Sequence, residues 1–230
     1  RPATLFNVLI HPLAPMAMRG VIWYQGEANG KEGDSYFWKM KALIQGWREV
    51  WKQGDFPFYF VQIAPYIYSH VDSTASAYLR EAQESALALP ATGMAVTLDI
   101  ATVMNIHPPD KKSVGDRLAA LALANDYGKK TPANGPVYKS MTVDGSRIRI
   151  SFDNTEGGLK AENGQLREFE IAGSDGKYVM ATADIDGNEV VVYSPLVTEP
   201  VSVRYCWRNG AEASLFNGEG LPAWQFRTKK

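Results

Sequence analysis

The chain has 230 residues, 45% of them hydrophobic and 21% charged, a balance that excludes a disordered, collagen-like or coiled-coil protein and leaves room for one large domain or two small ones. Its 24 basic and 25 acidic residues give a formal net charge of −1, so no bulk positive field exists to gather a nucleic-acid backbone or an anionic membrane. Apolar stretches such as Phe56 to Ala64 fall short of the roughly 18 to 20 residues that span a bilayer, and a single cysteine, Cys206, excludes an intrachain disulfide or a multi-cysteine zinc site.

The first half alternates strand and helix patterns. Arg19 to Tyr24 is a short β-branched and aromatic run, and Phe37, Met40, Ile44, Trp47 and Trp51 then recur at helical spacing. Phe58 to Ala64, closed by Pro65, reads as the next strand, and Tyr78 to Leu89 as a helix with Leu79, Ala82, Ala86 and Leu89 on one stripe. Ala91 to Ile100 is almost continuously apolar, as a parallel strand covered on both faces would be. The last helix is expected to carry Pro108 and Pro109 in its first turn, Asp110 at its positive end, and Val114, Leu118 and Leu121 as its buried stripe. Three strands alternating with three helices predict an α/β parallel sheet.

Around Thr131 to Pro136 lies a linker-like cluster, beyond which helical periodicity vanishes. Met141, Val143, the Asp144-Gly145 turn signal, Ile148, Ile150 and Phe152 sketch a hairpin. Short strands follow at Phe169 to Ala172, Tyr178 to Ala183, Glu189 to Tyr193 and Val201 to Trp207. The chain is therefore expected to divide into an α/β part, residues 1–132, and an all-β, sandwich-like part, residues 133–230.

Few residues can carry chemistry. His107 lies in the loop between the third strand and the last helix, where open α/β sheets bind ligands, although a loop histidine can also be satisfied by backbone alone. His11 and His70 have no such placement and are read as structural. Trp23 to Gly30 forms a second constellation at the carboxyl end of the first strand: Gln25 and Asn29 can donate amide hydrogen bonds, Glu27 can orient an imidazole, and Gly26 permits tight backbone. A polar loop capping the next helix would look the same. Metal binding is disfavoured, because Glu27 and His107 come without a second histidine, a cysteine cluster or an acidic loop. Gly33-Asp34-Ser35 suggests a nucleophile, but Asp34 or Ser35 is expected to cap the helix starting near Tyr36. Trp47 and Trp51 are read as sheet packing, and Cys206 as a buried small hydrophobe.

Taken together these blocks resemble the sialate O-acetylesterases, carbohydrate esterases of the SGNH-hydrolase superfamily. The resemblance rests on Leu5-Phe6-Asn7, Ile10 to Leu13 and Arg19 to Asn29, with its Gln-Gly-Glu-x-Asn block. It continues through Leu79 to Gln83, Ile106-His107-Pro108, Lys111-Lys112 and Gly115-x-Arg117-Leu118-Ala119, and ends in Val201 to Trp207, Gly220 to Ala223 and Phe226 to Thr228. It implies a partial three-layer parallel sheet of SGNH type, an all-β region after it, and serine-type acyl transfer with His107 as the base. Gln25 and Asn29 are implied to line the oxyanion region, and no cofactor is implied. For the carboxylate of an acetylated sialic acid, Arg80 or Arg19 is available, although a structural role is the favoured reading of each; acetylated xylan, another acetylated glycan, or a non-catalytic carbohydrate-binding or scaffold role are the alternatives. A periplasmic, secreted or lysosomal location follows from the resemblance alone.

Two departures from the family pattern matter. Many SGNH enzymes place an aspartate three residues before the histidine, where this chain has Met104. Related acetylxylan esterases use the glutamate of the Gln-Gly-Glu block, which makes Glu27 the candidate for orienting His107 and Asp99 the runner-up. The Gly-Gln-Ser-Asn type block that carries the nucleophile has no counterpart between Arg1 and Lys230, and Ser73, Ser76, Ser85 and Ser113 lie in or beside helices. The chain therefore resembles the carboxyl-terminal part of an esterase and is expected to be inactive alone. An exposed sheet edge is expected too, covered by the missing amino-terminal segment or another partner chain, by self-association, or by rearrangement.

Overall fold

A computed structural model describes residues 3–68 and 73–228; His70 lies outside them. The first half forms a parallel sheet of β1 (Val21–Trp23), β2 (Phe58–Val61) and β3 (Thr92–Ala95) in the order β1-β2-β3, with Val21 opposite Phe58 and Phe58 opposite Thr92. Phe58 and Phe60 face helices α1 (Tyr36–Trp51) and α2 (Ala75–Ser85), while Tyr59 and Val61 face α3 (Lys111–Asn125). The period-two alternation of β2 thus supplies both faces, and helices cover each. The buried side of α1 follows from Tyr36, Met40, Ile44, Arg48 and Trp51 at helical spacing. Trp47 stacks on Trp51 with ring centroids 5.3 Å apart and meets Trp23 and Phe58 edge-on, as packing residues do. Buried Arg48 draws the starts of β2 and β3 together by donating to Phe56 O at 2.9 Å and Pro90 O at 2.7 Å.

The second half contains β4 (Val137–Asp144), β5 (Arg147–Asp153), β6 (Leu159–Ala161), β7 (Phe169–Ala172), β8 (Val179–Met180), β9 (Thr182–Asp186), β10 (Glu189–Tyr193), β11 (Ser202–Tyr205), β12 (Leu215–Asn217) and β13 (Phe226–Arg227). They build two four-stranded antiparallel sheets, β4-β5-β10-β9 and β13-β11-β7-β8, and a two-stranded ladder of β6 and β12. Phe152 of one sheet meets Phe226 of the other, and Phe226 also meets Phe169 and Tyr205. One apolar cluster runs from Ile44, Phe60 and Leu79 of the α/β half to Ile150, Val192, Phe169 and Tyr205 of the antiparallel half.

Several element boundaries differ from expectation for local reasons. Only Thr92–Ala95 of the expected 91–100 strand is paired. Helix α3 starts after both prolines, because Asp110 is its N-cap: the carboxylate accepts from Ser113 N at 3.0 Å and from Ser113 Oγ at 2.6 Å. Neither Asp34 nor Ser35 makes a side-chain cap at α1; Ser35 Oγ donates back to Glu32 O at 2.8 Å. The expected strand 178–183 is split between β8 and β9, which belong to different sheets.

Candidate active site

The chain leaves β1 at Trp23 and crosses the top of the sheet through Tyr24, Gln25 and Gly26. Gly26 is buried, and a Cβ there would sit 2.7 Å from Ile63 Cγ2 and 3.3 Å from Gln83 Nε2, so this crossing requires glycine. A 3-10 turn over Glu27–Asn29 follows. From the other side, the segment after β3 turns at Thr102–Asn105 and presents His107 just before α3. Tyr24, Glu27, Ile106, His107 and Lys111 line one pocket of about 290 Å³. It sits beyond the carboxyl ends of parallel strands, where loops converge in an open α/β sheet.

Glu27 and His107 are therefore brought together as walls of one pocket. Among the described residues no hydrogen bond joins them; the exposed His107 is anchored by its main-chain N–H, which donates to Asn105 Oδ1 at 3.0 Å. Catalytic hydrogen bonds are often unmade before substrate arrives. Lys111 Nζ donates to Pro108 O at 2.6 Å and lies 5.4 Å from the centroid of the Tyr24 ring. Burial, with Glu27 adding to it, pushes the Tyr24 phenol up to about 12. Burial also takes Tyr36 and Tyr68 up to about 12, again with a contribution from Glu27. These phenols keep their protons at neutral pH, and two of them, Tyr24 and Tyr68, have buried hydroxyls without a hydrogen-bond partner.

Gln25 and Asn29 face each other. Gln25 Nε2 donates to Asn29 Oδ1 at 2.6 Å, Asn29 Nδ2 donates to Glu32 Oε1 at 2.9 Å, and the Tyr36 hydroxyl donates towards Gln25 O and Oε1 at 3.0 and 2.9 Å. Lys39 donates to the same Glu32 oxygen at 2.6 Å, and this bond, helped by that of Asn29, holds the Glu32 carboxyl below its ordinary range. The network braces the turn that carries Glu27. Each amide has a second N–H, and neither residue lines the 290 Å³ pocket.

Three assignments made from sequence are corrected by their surroundings. Arg80 is fully buried between α2 and the antiparallel half: Nε donates to Gln225 Oε1 at 2.6 Å, and Nη2 to Cys206 O at 3.1 Å and Arg208 O at 2.8 Å. It ties two parts of the fold together and has no open face for a substrate carboxylate. Arg19 donates to Asp126 O at 3.1 Å, just past the end of α3, whereas the pocket lies at the start of that helix. Fifteen residues put about 22 Å between the two ends. Asp99 is held by a bidentate pair, Arg117 Nη1 to Oδ1 at 2.7 Å and Nη2 to Oδ2 at 2.5 Å, with both side chains mostly buried. Its oxygens are committed to α3 rather than to His107.

Tyr24, Ile106 and Lys111 are the pocket residues that sequence reasoning passed over. The available signal was position, since all three flank residues already singled out. His11 is exposed beside Phe6, and Cys206 is a buried thiol that burial keeps protonated. Among the described residues no three carboxylate, imidazole or thiol groups converge as a metal cage requires.

Comparison with known proteins adds independent evidence. The family described as carbohydrate esterase, sialic acid-specific acetylesterase, matches residues 5–124. The sialate O-acetylesterase of Mus musculus is 28% identical over 90% of this chain and 42% of its own length; that of Rattus norvegicus is 29% identical over 90% and 43%. The crystal structure of a carbohydrate acetylesterase from Xanthomonas citri superposes with a TM-score of 0.91 at 40% identity, covering 98% of this chain and 54% of that one. The chain spans less than half the length of the mouse and rat proteins. With both constellations inside the matched segment and the whole fold shared with an acetylesterase, the chain belongs to the sialic acid-specific acetylesterase family of carbohydrate esterases.

Proposed function

We propose that this chain carries the general base and the orienting acid of an O-acetylesterase that removes acetyl groups from sialic acid by serine-type acyl transfer. The observation that carries the reading is that Glu27 and His107, distant in the chain, wall one pocket at the carboxyl ends of the parallel strands. The His107 imidazole takes the proton of a serine hydroxyl as its oxygen attacks the acetyl carbonyl, then hands that proton to the departing sugar oxygen. Water, deprotonated by the same imidazole, releases acetate from the acetyl-enzyme. Glu27 accepts a hydrogen bond from the imidazole and steadies the imidazolium. Gln25 and Asn29 retain one N–H each for the oxyanion. Lys111, at the pocket wall, takes the part first given to Arg80 or Arg19 and meets the sialate carboxylate.

Among the described residues no serine lines the pocket. The nucleophile belongs, in this reading, to a segment outside residues 1–230, and residues 1–132 contribute only part of the catalytic unit. This agrees with the chain's spanning less than half of the mouse and rat relatives. Alone the chain is inactive. The same segment covers the open edge of β1, with self-association as the substitute when it is absent. Residues 133–230 form the sandwich-like region that supports the site. A periplasmic, secreted or lysosomal location suits a glycan substrate; among the described residues no helix is long and apolar enough to cross a membrane.

Mixing the chain with the serine-bearing segment and measuring acetate release tests the reading. Activity appears on mixing and falls about 10⁴-fold in His107→Ala; activity that survives this substitution removes His107 from the role of base. The reconstituted enzyme hydrolyses acetylated sialic acid faster than acetylated xylan, and Lys111→Met raises KM for the sialate alone. A preference for xylan would make the protein a neutral-glycan esterase.

A further inference from the structure

The antiparallel half meets the loops of the α/β half, including the segment that leads to His107, at the turn after β11. After β11 the chain passes through Cys206, buried with a left-handed φ of 52°, and continues to Ala211 across the loops of the α/β half. Arg80 grips this turn by Cys206 O and Arg208 O. Asn209, itself buried, is tied to the α/β half: its N–H donates to Ser73 O at 2.6 Å, its Oδ1 accepts from Ser76 N at 2.8 Å, and its carbonyl accepts from Tyr66 N at 3.0 Å.

From Tyr66 the contacts run on to the base. Ile67 N donates to Val103 O at 2.9 Å, Asn105 N donates to Thr102 O at 2.6 Å, and His107 N donates to Asn105 Oδ1 at 3.0 Å. Gly210 adds a steric link, because a Cβ there would lie 2.8 Å from Ile67 Cγ1 and 3.9 Å from Val103 Cβ. Ala213 N, just beyond the turn, donates to Leu98 O at 2.9 Å. The segment leading to His107 is thus held at two points, Leu98 and Val103, and Tyr68, whose phenol feels Glu27, follows Ile67 directly.

We infer that the turn of residues 206–211 sets the position of His107, making Asn209 and Gly210 positioning residues for acyl transfer; this rests on the function proposed above. Main-chain hydrogen bonds of this kind fix a loop more tightly than apolar contact alone, and a displacement near 1 Å at a catalytic group costs rate rather than affinity. The antiparallel half then acts as part of the catalytic framework.

The test uses the chain itself and the reconstituted enzyme. The imidazole signals of His107, identified by their loss in His107→Ala, are followed by NMR in Asn209→Ala, Gly210→Ala and a control, Ile150→Val, which loosens the far sheet without touching the turn. Both turn variants shift the His107 signals and leave those of His11 in place, while Ile150→Val shifts neither. In the reconstituted enzyme kcat falls about 10- to 100-fold in the turn variants with KM nearly unchanged. In the unaltered chain, the amides of Tyr66 and Ile67 exchange as slowly as that of Ala213. His107 signals that superpose on the parent's in folded turn variants overturn the inference, and so do unprotected Tyr66 and Ile67 amides, which decide the matter should neither variant fold. Absence of acetate release from the unaltered reconstituted enzyme would instead count against the esterase reading, while the NMR and exchange results would still report on the positioning of His107.

Discussion

Glu27 and Asp99 are both carboxylates within reach of the loops above the parallel strands, and what separates them is the company of their oxygens. Asp99 is saturated by the Arg117 guanidinium, whereas Glu27 opens on the pocket of His107. Glu27→Gln is therefore expected to lower turnover of the reconstituted enzyme about 10²- to 10⁴-fold with little change in stability. Asp99→Asn is expected to spare most of the turnover and to cost about 3 kcal/mol of stability, since it leaves a mostly buried guanidinium without its counter-charge. Thermal unfolding read beside initial rates separates the two effects; the reverse ranking of rates would return the orienting role to Asp99. That His107 and Glu27 would meet at one pocket was legible in the sequence because both follow the ends of parallel strands; their roles are those proposed above. The partners of Asp99 and Arg80 were not, because Arg117 and Gln225 come near only once the helices have packed, and no local pattern marks them.

Helix α3 shows how far local pattern reaches. Its buried stripe of Val114, Leu118 and Leu121 is as the periodicity predicts, but the choice of Asp110 over the prolines as its start depends on a cap that competes with proline's liking for a first turn. Strands β6, β12 and β13 escaped notice because runs of two or three residues carry no period; they exist through pairing with distant partners. The docking of α3 on β2 involves one group that titrates. Tyr59 donates its hydroxyl to Asp126 Oδ2 at 2.6 Å, and burial first, then this bond, pushes the phenol up to about 12. An unfolded chain releases that proton near the ordinary value of 10.0, so at intermediate pH the folded state binds more protons. The stability from this contact is whole below pH 10 and drains away as the pH rises towards 12. Tyr24, Tyr36 and Tyr68 act in the same direction. Denaturant midpoints measured across this range should fall steadily in the parent and less steeply in Tyr59→Phe, which itself loses about 1 kcal/mol at neutral pH. Parallel curves would show that Tyr59 ionises alike in both states.

At the scale of the whole molecule the first strand is the weak boundary. β1 pairs with β2 on one side, and no described strand pairs with its other side. Ile22 is 69% exposed, and Leu5, Val8, Leu9, Leu13 and Met16 are exposed in the segment leading to it. An open strand edge beside so much apolar surface is a template for pairing with another chain. The two halves, by contrast, share one apolar cluster and the polar ties around Arg80 and Asn209, so the site is held firmly from the antiparallel side and left open on the side of β1. Covering that side is the role proposed for the serine-bearing segment, and its absence should be visible in solution. The isolated chain is expected to self-associate with rising concentration in sedimentation velocity. Ile22→Lys should weaken that association about tenfold or more, because a charge on an edge strand opposes pairing, while circular dichroism stays unchanged. Adding the serine-bearing segment should return the unaltered chain to a single one-to-one species. A chain that stays monomeric at all concentrations, with or without Ile22→Lys, would mean that residues 3–22 already cover the edge in solution, and the segment would then have to reach His107 by another route.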